Sequence, residues 1–478
     1  MNFIDTIQNH PIFPFIIEAT ALLQADSYVI GGYVRDLLLK RPCKDIDVVC
    51  VGSGIDLAEK VAQLVEQRTK KHCEVVTYKN FGTAMLTIDD WQVEFVGARK
   101  ESYRQESRKP SVENGTLADD QNRRDFTINA IAISLNAKNL GDLIDPFEGL
   151  LHLKKKILIT PLDPDITFSD DPLRMMRAIR FATQLNFDIA PDTFDAIMRN
   201  KARLKIISQE RTTEELNKII LAKTPSYGFK MLFTSGLLHE FFPEMVALHG
   251  VETIDGKAHK DNFYHTLKVL DNLTEYSDDL WLRWAAILHD IAKPPTKRFD
   301  KKIGWTFYGH EDRGAKMVQP IFRRLRLPTD SKMKFVEKMV KLHLRPIALI
   351  KDTITDSALR RLLFDAGEDT DSLMKLVRAD ITSKDDSKVK RYMDNYKRLE
   401  IKLKEVEERD QIRGFQPVIT GEFIMETFGL QPTKEVGSIK IQIREAILDG
   451  LVKNELPEAF EYMLKIGAKM GLSPVKSE

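Results

Sequence analysis

"VIGGYVRDLLLKRPCKDIDVVCVG", residues 29 to 52, sets two glycines before a helical stretch and two aspartates one residue apart on a strand. Residues i and i+2 of a strand face the same way, so Asp45 and Asp47 present their carboxylates side by side. Like charges that close repel unless a cation lies between them. Mg²⁺ suits the pair, being a hard ion that takes few carboxylates together with phosphate oxygens. Gly31 and Gly32 leave a strand and enter a helix whose start carries Arg35. Glycine lets backbone N–H groups come close to phosphate, and a helix start adds a favourable dipole. A glycine pair is commonly only a turn, and Asp-x-Asp commonly ends a strand. Their proximity, with Glu94 of "QVEFVGAR" as a third carboxylate, points to a site for metal and phosphate. Two-metal chemistry needs such a cluster to hold both attacking and leaving oxygens.

Around this stretch, strand and helix signals alternate. "SYVIGG", "KDIDVVCVG", "TAMLTID" and "WQVEFVGA" read as strands, "YVRDLLLK" and "GIDLAEKVAQLVEQRTK" as helices. Residues 101 to 121 are polar and interrupted by Pro110 and Gly115, so a mobile loop is expected there. "DLIDPFEGLLHLKKKILIT" reads as a connector with two short strands, and beyond Asp170 the chain turns helical. The 478 residues suffice for about three domains of ~150 residues. A net charge of +1 argues against a polyelectrolyte-like nucleic-acid binder, although 72 Lys and Arg leave room for basic faces. Cys43, Cys50 and Cys73 form no CxxC pair, the profile of a reducing compartment. No signal peptide and no membrane-length apolar run is read, so a cytoplasmic protein without membrane contact is expected.

"GGYVRDLLL…KDIDVV", "VEFVGAR", "RRDFTINAIA", "DPFEGLLHL", "DDPLRMMRAIRFATQLNF" and "ERTTEELNKII" follow in that order. This succession resembles the bacterial class II tRNA nucleotidyltransferases, the CCA-adding enzymes, which share their head with bacterial poly(A) polymerases. The resemblance spans roughly residues 25 to 245. It implies a multidomain α+β chain, with a polymerase-β-type nucleotidyltransferase head followed by an all-α neck, body and further domain. It also implies metal-dependent transfer of nucleotides from CTP and ATP to the 3′ end of tRNA. By position, Asp45 and Asp47 would bind Mg²⁺, with Glu94 as the third carboxylate. Gly31, Gly32 and Arg35 would meet the triphosphate, Arg123 or Arg124 the nucleotide, and Asp125 its ribose. Residues 101 to 121 would match the loop used when addition switches from C to A.

In "DDPLRMMRAIRFATQL", at 100° per residue, Met175, Ala178, Ile179, Ala182 and Leu185 form one apolar stripe. Arg174, Arg177 and Arg180 fall opposite. By chemistry alone Asp171 is a helix cap worth ~1 kcal/mol, and the arginines are a solvated face. The resemblance implies more: Asp171 and Arg174 pairing with the edges of CTP and ATP, and Arg177 and Arg180 continuing the nucleotide-facing row. Acceptors on Asp and donors on Arg match the Watson–Crick edges of cytosine and adenine. The family usually has Glu where Asp170 stands.

Further on, "FYHTLKVL", "ILHDIAK", "FYGHEDRG", "VKLHLRP" and "LVRADIT" supply His265, His289, Asp290, His310, His343 and Asp380. A carboxylate at the end of an apolar helix needs a partner or a metal. Imidazole with carboxylate suits Mn, Fe, Ni, Co, Mg or Zn. The pattern resembles the HD superfamily, whose metal ligands would map to His265, His289, Asp290 and Asp380, with His310 and His343 where some members hold a second ion. Such a site would hydrolyse a phosphoester, for example at a damaged RNA end. The expected division is a head over 1–150, a nucleotide- and RNA-binding neck and body over 151–250, an HD domain over 251–385 and a helical tail over 386–478. The charged run 388–413 is read as a solvated helix rather than an RNA grip. Three alternatives stay open: a poly(A) polymerase, an enzyme adding only CC or only A, and an HD phosphohydrolase acting on RNA ends.

Overall fold

The computed structural model describes residues 1–79, 82–104, 107–351, 355–383, 385–410 and 416–475, without the side chains of 101–112 and 350–351. The chain divides into two compact units, Met1–Val246 and Ala247–Glu478.

The first unit is built on a seven-stranded mixed sheet. Its strands are β1 (Asp26–Ile30), β2 (Asp45–Val51), β3 (Val75–Tyr78), β4 (Thr83–Ile88) and β5 (Trp91–Gly97). After a separate two-stranded ribbon, β6 (Arg99–Arg104) with β7 (Ser107–Asn114), the sheet is completed by β8 (Ala132–Ser134) and β9 (Leu143–Ile144). The order is β3-β4-β5-β2-β1-β8-β9, and β2 runs parallel to β5 while its other neighbour β1 is antiparallel. Alternation decides the faces. Ile46, Val48 and Cys50 of β2 and Val93 and Phe95 of β5 are buried, which turns Asp45, Asp47, Gln92 and Glu94 to the opposite face. Helix Gly54–Thr69 starts at Ser53, whose side chain accepts from Asp56 N, and packs Leu57, Val61 and Val65 against the covered side.

The expected strands and helices of the opening stretch form as read. Residues 101 to 121 differ from the expected loop. β6 and β7 pair as a ribbon, where both strands are edges and a proline such as Pro110 costs no ladder bond facing outward; residues 105 and 106 lie outside the described ones. Helix Leu117–Asn122 follows, set by a capping box: Thr116 Oγ1 accepts from Asp119 N at 3.2 Å and Asp119 accepts from Thr116 N at 2.8 Å. The connector has its two short strands, Leu143–Ile144 and Ile157–Leu158, with helix Gly149–Lys155 between them. The arginine-bearing segment is helix Leu173–Leu185, and helix Gln209–Ile220 packs on it.

The second unit is mainly helical. Helices Asn262–Leu273, Leu280–Leu288, His310–Arg324, Ser331–Leu342 and Thr370–Asp380 surround a histidine cluster. Helix Asp386–Asp410 carries most of the charged run; it buries the stripe Tyr396, Leu399, Leu403 and Val406, half-buries residues beside it such as Tyr392 and Glu400, and exposes most of the rest, while 411–413 lie outside the described residues. Three closing helices, Gly421–Phe428, Lys434–Leu448 and Leu456–Lys469, share a core of their own around Ile424, Ile439, Ile443 and Met463. No helix among the described residues is long and apolar enough to cross a membrane.

One glycine fixes the approach of helix Gly32–Leu38 to the sheet. Gly31 has φ +81°, and a Cβ there would lie 2.8 Å from Asp47 Oδ2 and 2.9 Å from Arg124 Nη1. Both the backbone conformation and the space demand glycine. Gly31→Ala is therefore expected to lower the head's stability by about 1–3 kcal/mol, read by chemical denaturation; an unchanged midpoint would contradict this.

Candidate active site and histidine centre

The parallel pairing of β2 with β5 places Asp47 directly opposite Glu94, and Asp45 opposite Gln92. Adjacent strands lie about 4.8 Å apart and same-face neighbours about 6.6 Å, so three carboxylates share one patch. Burial pushes the Asp47 carboxyl up, against the pull of Arg124. Desolvation and the Asp47 charge push Glu94 up as well. Both shifts come first from burial, with carboxylate repulsion added, and a divalent cation held between the groups would oppose both.

A cavity of about 280 Å³ opens beside the patch, lined by Asp47, Glu94, Arg123, Arg124, Asp125, Asp171, Arg174 and Arg177, among others. Its arginines are not a solvated face; buried acceptors hold them. Asp120, fully buried, receives Arg123 through Nε at 2.9 Å and Arg124 at 3.0 Å. Asp125 receives Arg177 Nε at 2.8 Å and Asn129 Nδ2 at 3.0 Å. Burial alone would raise the Asp125 carboxyl, yet the Arg177 guanidinium and these hydrogen bonds bring it down to about 2. Asp171 caps the arginine helix, accepting from Leu173 N at 3.2 Å. Arg174 hydrogen-bonds the Thr167 carbonyl at 3.4 Å and the Arg123 carbonyl.

Five expected members do not line this cavity: Asp45, which shares the carboxylate face of β2 but lies outside the lining, Gly31, Gly32, Arg35 and Arg180. Arg35 reaches Asp36 at 2.8 Å and Asn129 Oδ1 at 2.9 Å. Arg180 is buried in an ion pair with Glu215, because helix Gln209–Ile220 covers that side of the arginine helix. Both guanidinium groups, with that of Arg177, surround the Phe181 ring, 5.0, 3.9 and 5.2 Å from its centroid. Gly31 touches the site through Asp47 and Arg124, while Gly32 has Arg35 Nη2 3.7 Å from where a Cβ would stand. Asp120, Asn129 and Glu215 escaped sequence reasoning. Asp120 sits three and four residues before two arginines on a short helix, a spacing that pairs side chains and that could have exposed it.

In the second unit all six expected ligands come together. Asp290 Oδ2 lies 3.2 Å from His289 Nε2 and 3.4 Å from His265 Nε2. Its Oδ1 lies 3.2 Å from His310 Nε2 and 3.9 Å from His343 Nε2. Asp380 Oδ1 is 3.0 Å from His265 Nε2. Two three-residue groups result, His265–His289–Asp290 and Asp290–His310–His343, each close enough to share one ion. Three of the rings turn Nδ1 to a backbone carbonyl: His289 to Ala286 at 2.7 Å, His310 to Phe307 at 2.8 Å and His343 to Val340 at 2.6 Å. That hydrogen bond fixes the tautomer and leaves the Nε2 lone pair facing inward. The Nε2 atoms of His289, His310 and His343 are buried with no hydrogen-bond partner. Orphaned imidazole nitrogens around a carboxylate fit a divalent metal centre.

The Asp125–Arg177 pair carries a pH signature. Its carboxyl is depressed in the folded head, so its stabilisation is complete above the ordinary carboxylate range and fades as pH falls through about 2. Asp125→Asn is expected to cost about 2 kcal/mol at neutral pH, the gap from wild type closing between about pH 4 and 2. A gap that stays constant in chemical denaturation down to the acid end would contradict the pairing.

Comparison with known proteins places this geometry. The family described as "Poly A polymerase head domain" matches residues 27–159, "Probable RNA and SrmB- binding site of polymerase A" matches 186–248, and "HD domain" matches 262–385. A multifunctional CCA protein of Shewanella frigidimarina is 34% identical over 315 residues, covering 63% of this chain and 70% of the relative. An A-adding tRNA nucleotidyltransferase of Deinococcus radiodurans is 33% identical over 343 residues, covering 69% and 75%. Among solved structures, the Bacillus stearothermophilus CCA-adding enzyme in complex with CTP aligns with a TM-score of 0.66 at 23% identity, over 97% of this chain and 99% of that one. At that identity the structural likeness speaks for the fold, which is the polymerase-β-type head, helical body and HD domain expected from the sequence. Together the matched domains and the two enzymes similar over most of their length make this chain a member of the tRNA nucleotidyltransferase family, an enzyme of the nucleotidyltransferase class that carries an HD domain.

Proposed function

We propose that the chain adds C, C and A to the 3′ end of tRNA from CTP and ATP, releasing pyrophosphate. The observation that carries this reading is the register of β2 on β5, which sets Asp47 against Glu94 beside a cavity walled by paired Asp and Arg side chains. Asp45, Asp47 and Glu94 would hold Mg²⁺, which when bound supplies the positive charge that both the attacking 3′-oxygen and the leaving pyrophosphate need. Arg123 and Arg124, held on Asp120, orient charge toward the triphosphate. Asp125 serves the ribose end of the nucleotide while keeping Arg177 in place. Asp171 and Arg174 offer acceptor and donors to the base edge, where cytosine and adenine present both and uracil and guanine present other patterns. Gly31 and Gly32 keep the backbone open to phosphate, and Arg35 and Arg180 serve as struts around Phe181. The names of the relatives support tRNA as the substrate. tRNA would be gripped by backbone and shape rather than base sequence, and the free cysteines fit a cytoplasmic enzyme.

The division proposed is head 1–150, neck and body 151–250, HD domain 251–385 and tail 386–478. For the HD domain a second activity is favoured by one observation, the two three-residue groups sharing Asp290. We read it as a metal-dependent phosphohydrolase acting on RNA ends, its imidazole-rich donor set suiting a transition metal better than Mg²⁺.

The test is incorporation of labelled CTP and ATP on tRNA transcripts ending at the discriminator base and at CC, and on an unstructured RNA. Ordered addition of C, C, A to tRNA alone is expected, with Asp45→Asn and Asp47→Asn each slowing it at least about a hundredfold. Both variants should keep hydrolysing phosphoesters, and Asp290→Asn should lose that activity. Long A tails on any RNA would make the chain a poly(A) polymerase. A single A on the CC transcript alone would make it an A-adding enzyme.

A further inference from the structure

Beside the histidine centre lies a cavity of about 1000 Å³, at the upper end of the range for small-molecule sites. Of the six candidate ligands only His265 reaches its wall, next to Lys260 and Thr382. His265 also differs from the other three histidines in what its Nδ1 meets. Among the described residues its Nδ1 meets no backbone carbonyl but lies 2.8 Å from Lys260 Nζ and 3.1 Å from Thr382 Oγ1, and Lys260 Nζ is 2.8 Å from the same hydroxyl.

Lys260 is unlike its basic neighbours. Lys293 sits 2.6 Å from Asp290 Oδ2, and Lys297 2.5 Å from Glu252. Among the described residues Lys260 reaches no carboxylate within 4 Å, although its ammonium touches a histidine only 7% exposed. An ammonium has three N–H donors, and its two contacts are neutral acceptors, the charges of Asp380 and Asp290 acting on it only from beyond contact distance. A metal ion at His265 Nε2 requires the ring proton on Nδ1, where Thr382 Oγ1 can accept it. Lys260 then keeps only the hydroxyl and turns N–H donors to the cavity. An acceptor in contact with those donors is one the ligand brings.

We propose that Lys260, braced by Thr382, is the residue that positions the phosphoryl oxygens of the substrate at the histidine centre. The cavity then takes a phosphoester whose organic part lies toward Tyr264, 47% exposed, and Lys268. This rests on the hydrolytic reading of the HD domain. In that reaction the oxygen of water bonds to phosphorus and the ester P–O bond breaks. The electron pair leaves on the alkoxide oxygen, which takes a proton from the attacking water. Lys260 holds a non-bridging oxygen throughout and so aligns the phosphorus rather than moving the proton.

The test uses the full chain and three readouts: Mn²⁺ bound per chain against an Asp290→Asn blank, affinity for inorganic phosphate by calorimetry, and thermal melting. Lys260→Gln is expected to keep the Mn²⁺ count and the melting point while weakening phosphate at least about tenfold. Lys260→Arg, which keeps the charge, restores binding to within about threefold. Unchanged phosphate affinity in Lys260→Gln would overturn the proposal. So would loss of Mn²⁺ together with phosphate, since Lys260 would then be a strut for His265. If the wild-type chain binds no more Mn²⁺ than the Asp290→Asn blank, the hydrolytic reading itself fails and takes the proposal with it.

Discussion

The head is organised around a repulsion. Parallel pairing of β2 and β5 sets the Asp47 carboxylate across from that of Glu94, with Asp45 two residues along the same face. No fold places like charges there for stability, because each lowers the other's comfort as an anion. The sheet tolerates it because the opposite face is paved with Ile46, Val48, Val93 and Phe95, all buried, so the register cannot slip by one residue without exposing them. The apolar face therefore holds the carboxylates in a strained arrangement that a divalent ion relieves. Gly31, folded against Asp47 and Arg124, closes the patch from the side of helix Gly32–Leu38.

Positive charge enters through a second set of constraints. Asp120, Asp125 and Glu215 are buried, and each holds one or two arginines; Phe181 stacks among three guanidinium groups. Buried ion pairs gain little net stability over apolar packing, yet removing one partner is destabilising because it strands the other charge. What they give is position. Arg123, Arg124, Arg174 and Arg177 wait at the cavity wall with little side-chain freedom left to lose, so binding a nucleotide costs less ordering entropy. Arg35 and Arg180 stand behind them as supports.

Much of this was legible in the sequence for physical reasons. Period-two alternation identified β2 and β5, and Asp45, Asp47 and Glu94 stood out as carboxylates on strands. Their register was not legible, since a parallel pair joins segments forty-odd residues apart and local pattern does not choose the partner. The arginine helix forms where its pattern predicts, but local pattern does not show which side helix Gln209–Ile220 covers, so the nucleotide-facing place that the resemblance implies for Arg180 does not hold. Pro110 suggested a loop because breaker signals cannot tell an edge strand from a turn. The histidine ligands were visible from their residue types, whereas Lys260 was one lysine among many until the fold set it beside His265.

The same logic runs through both halves of the molecule: carboxylates or imidazoles with unmet electrostatic needs face a cavity, and basic side chains wait for an anion. The central claim is that the β2–β5 carboxylates hold divalent metal together with the nucleotide. Counting Mn²⁺ bound per chain by electron paramagnetic resonance, with and without CTP, tests it most directly. The account predicts that CTP adds bound Mn²⁺ to the wild-type chain and adds none to Asp47→Asn. Equal CTP-dependent uptake by the two proteins would contradict it.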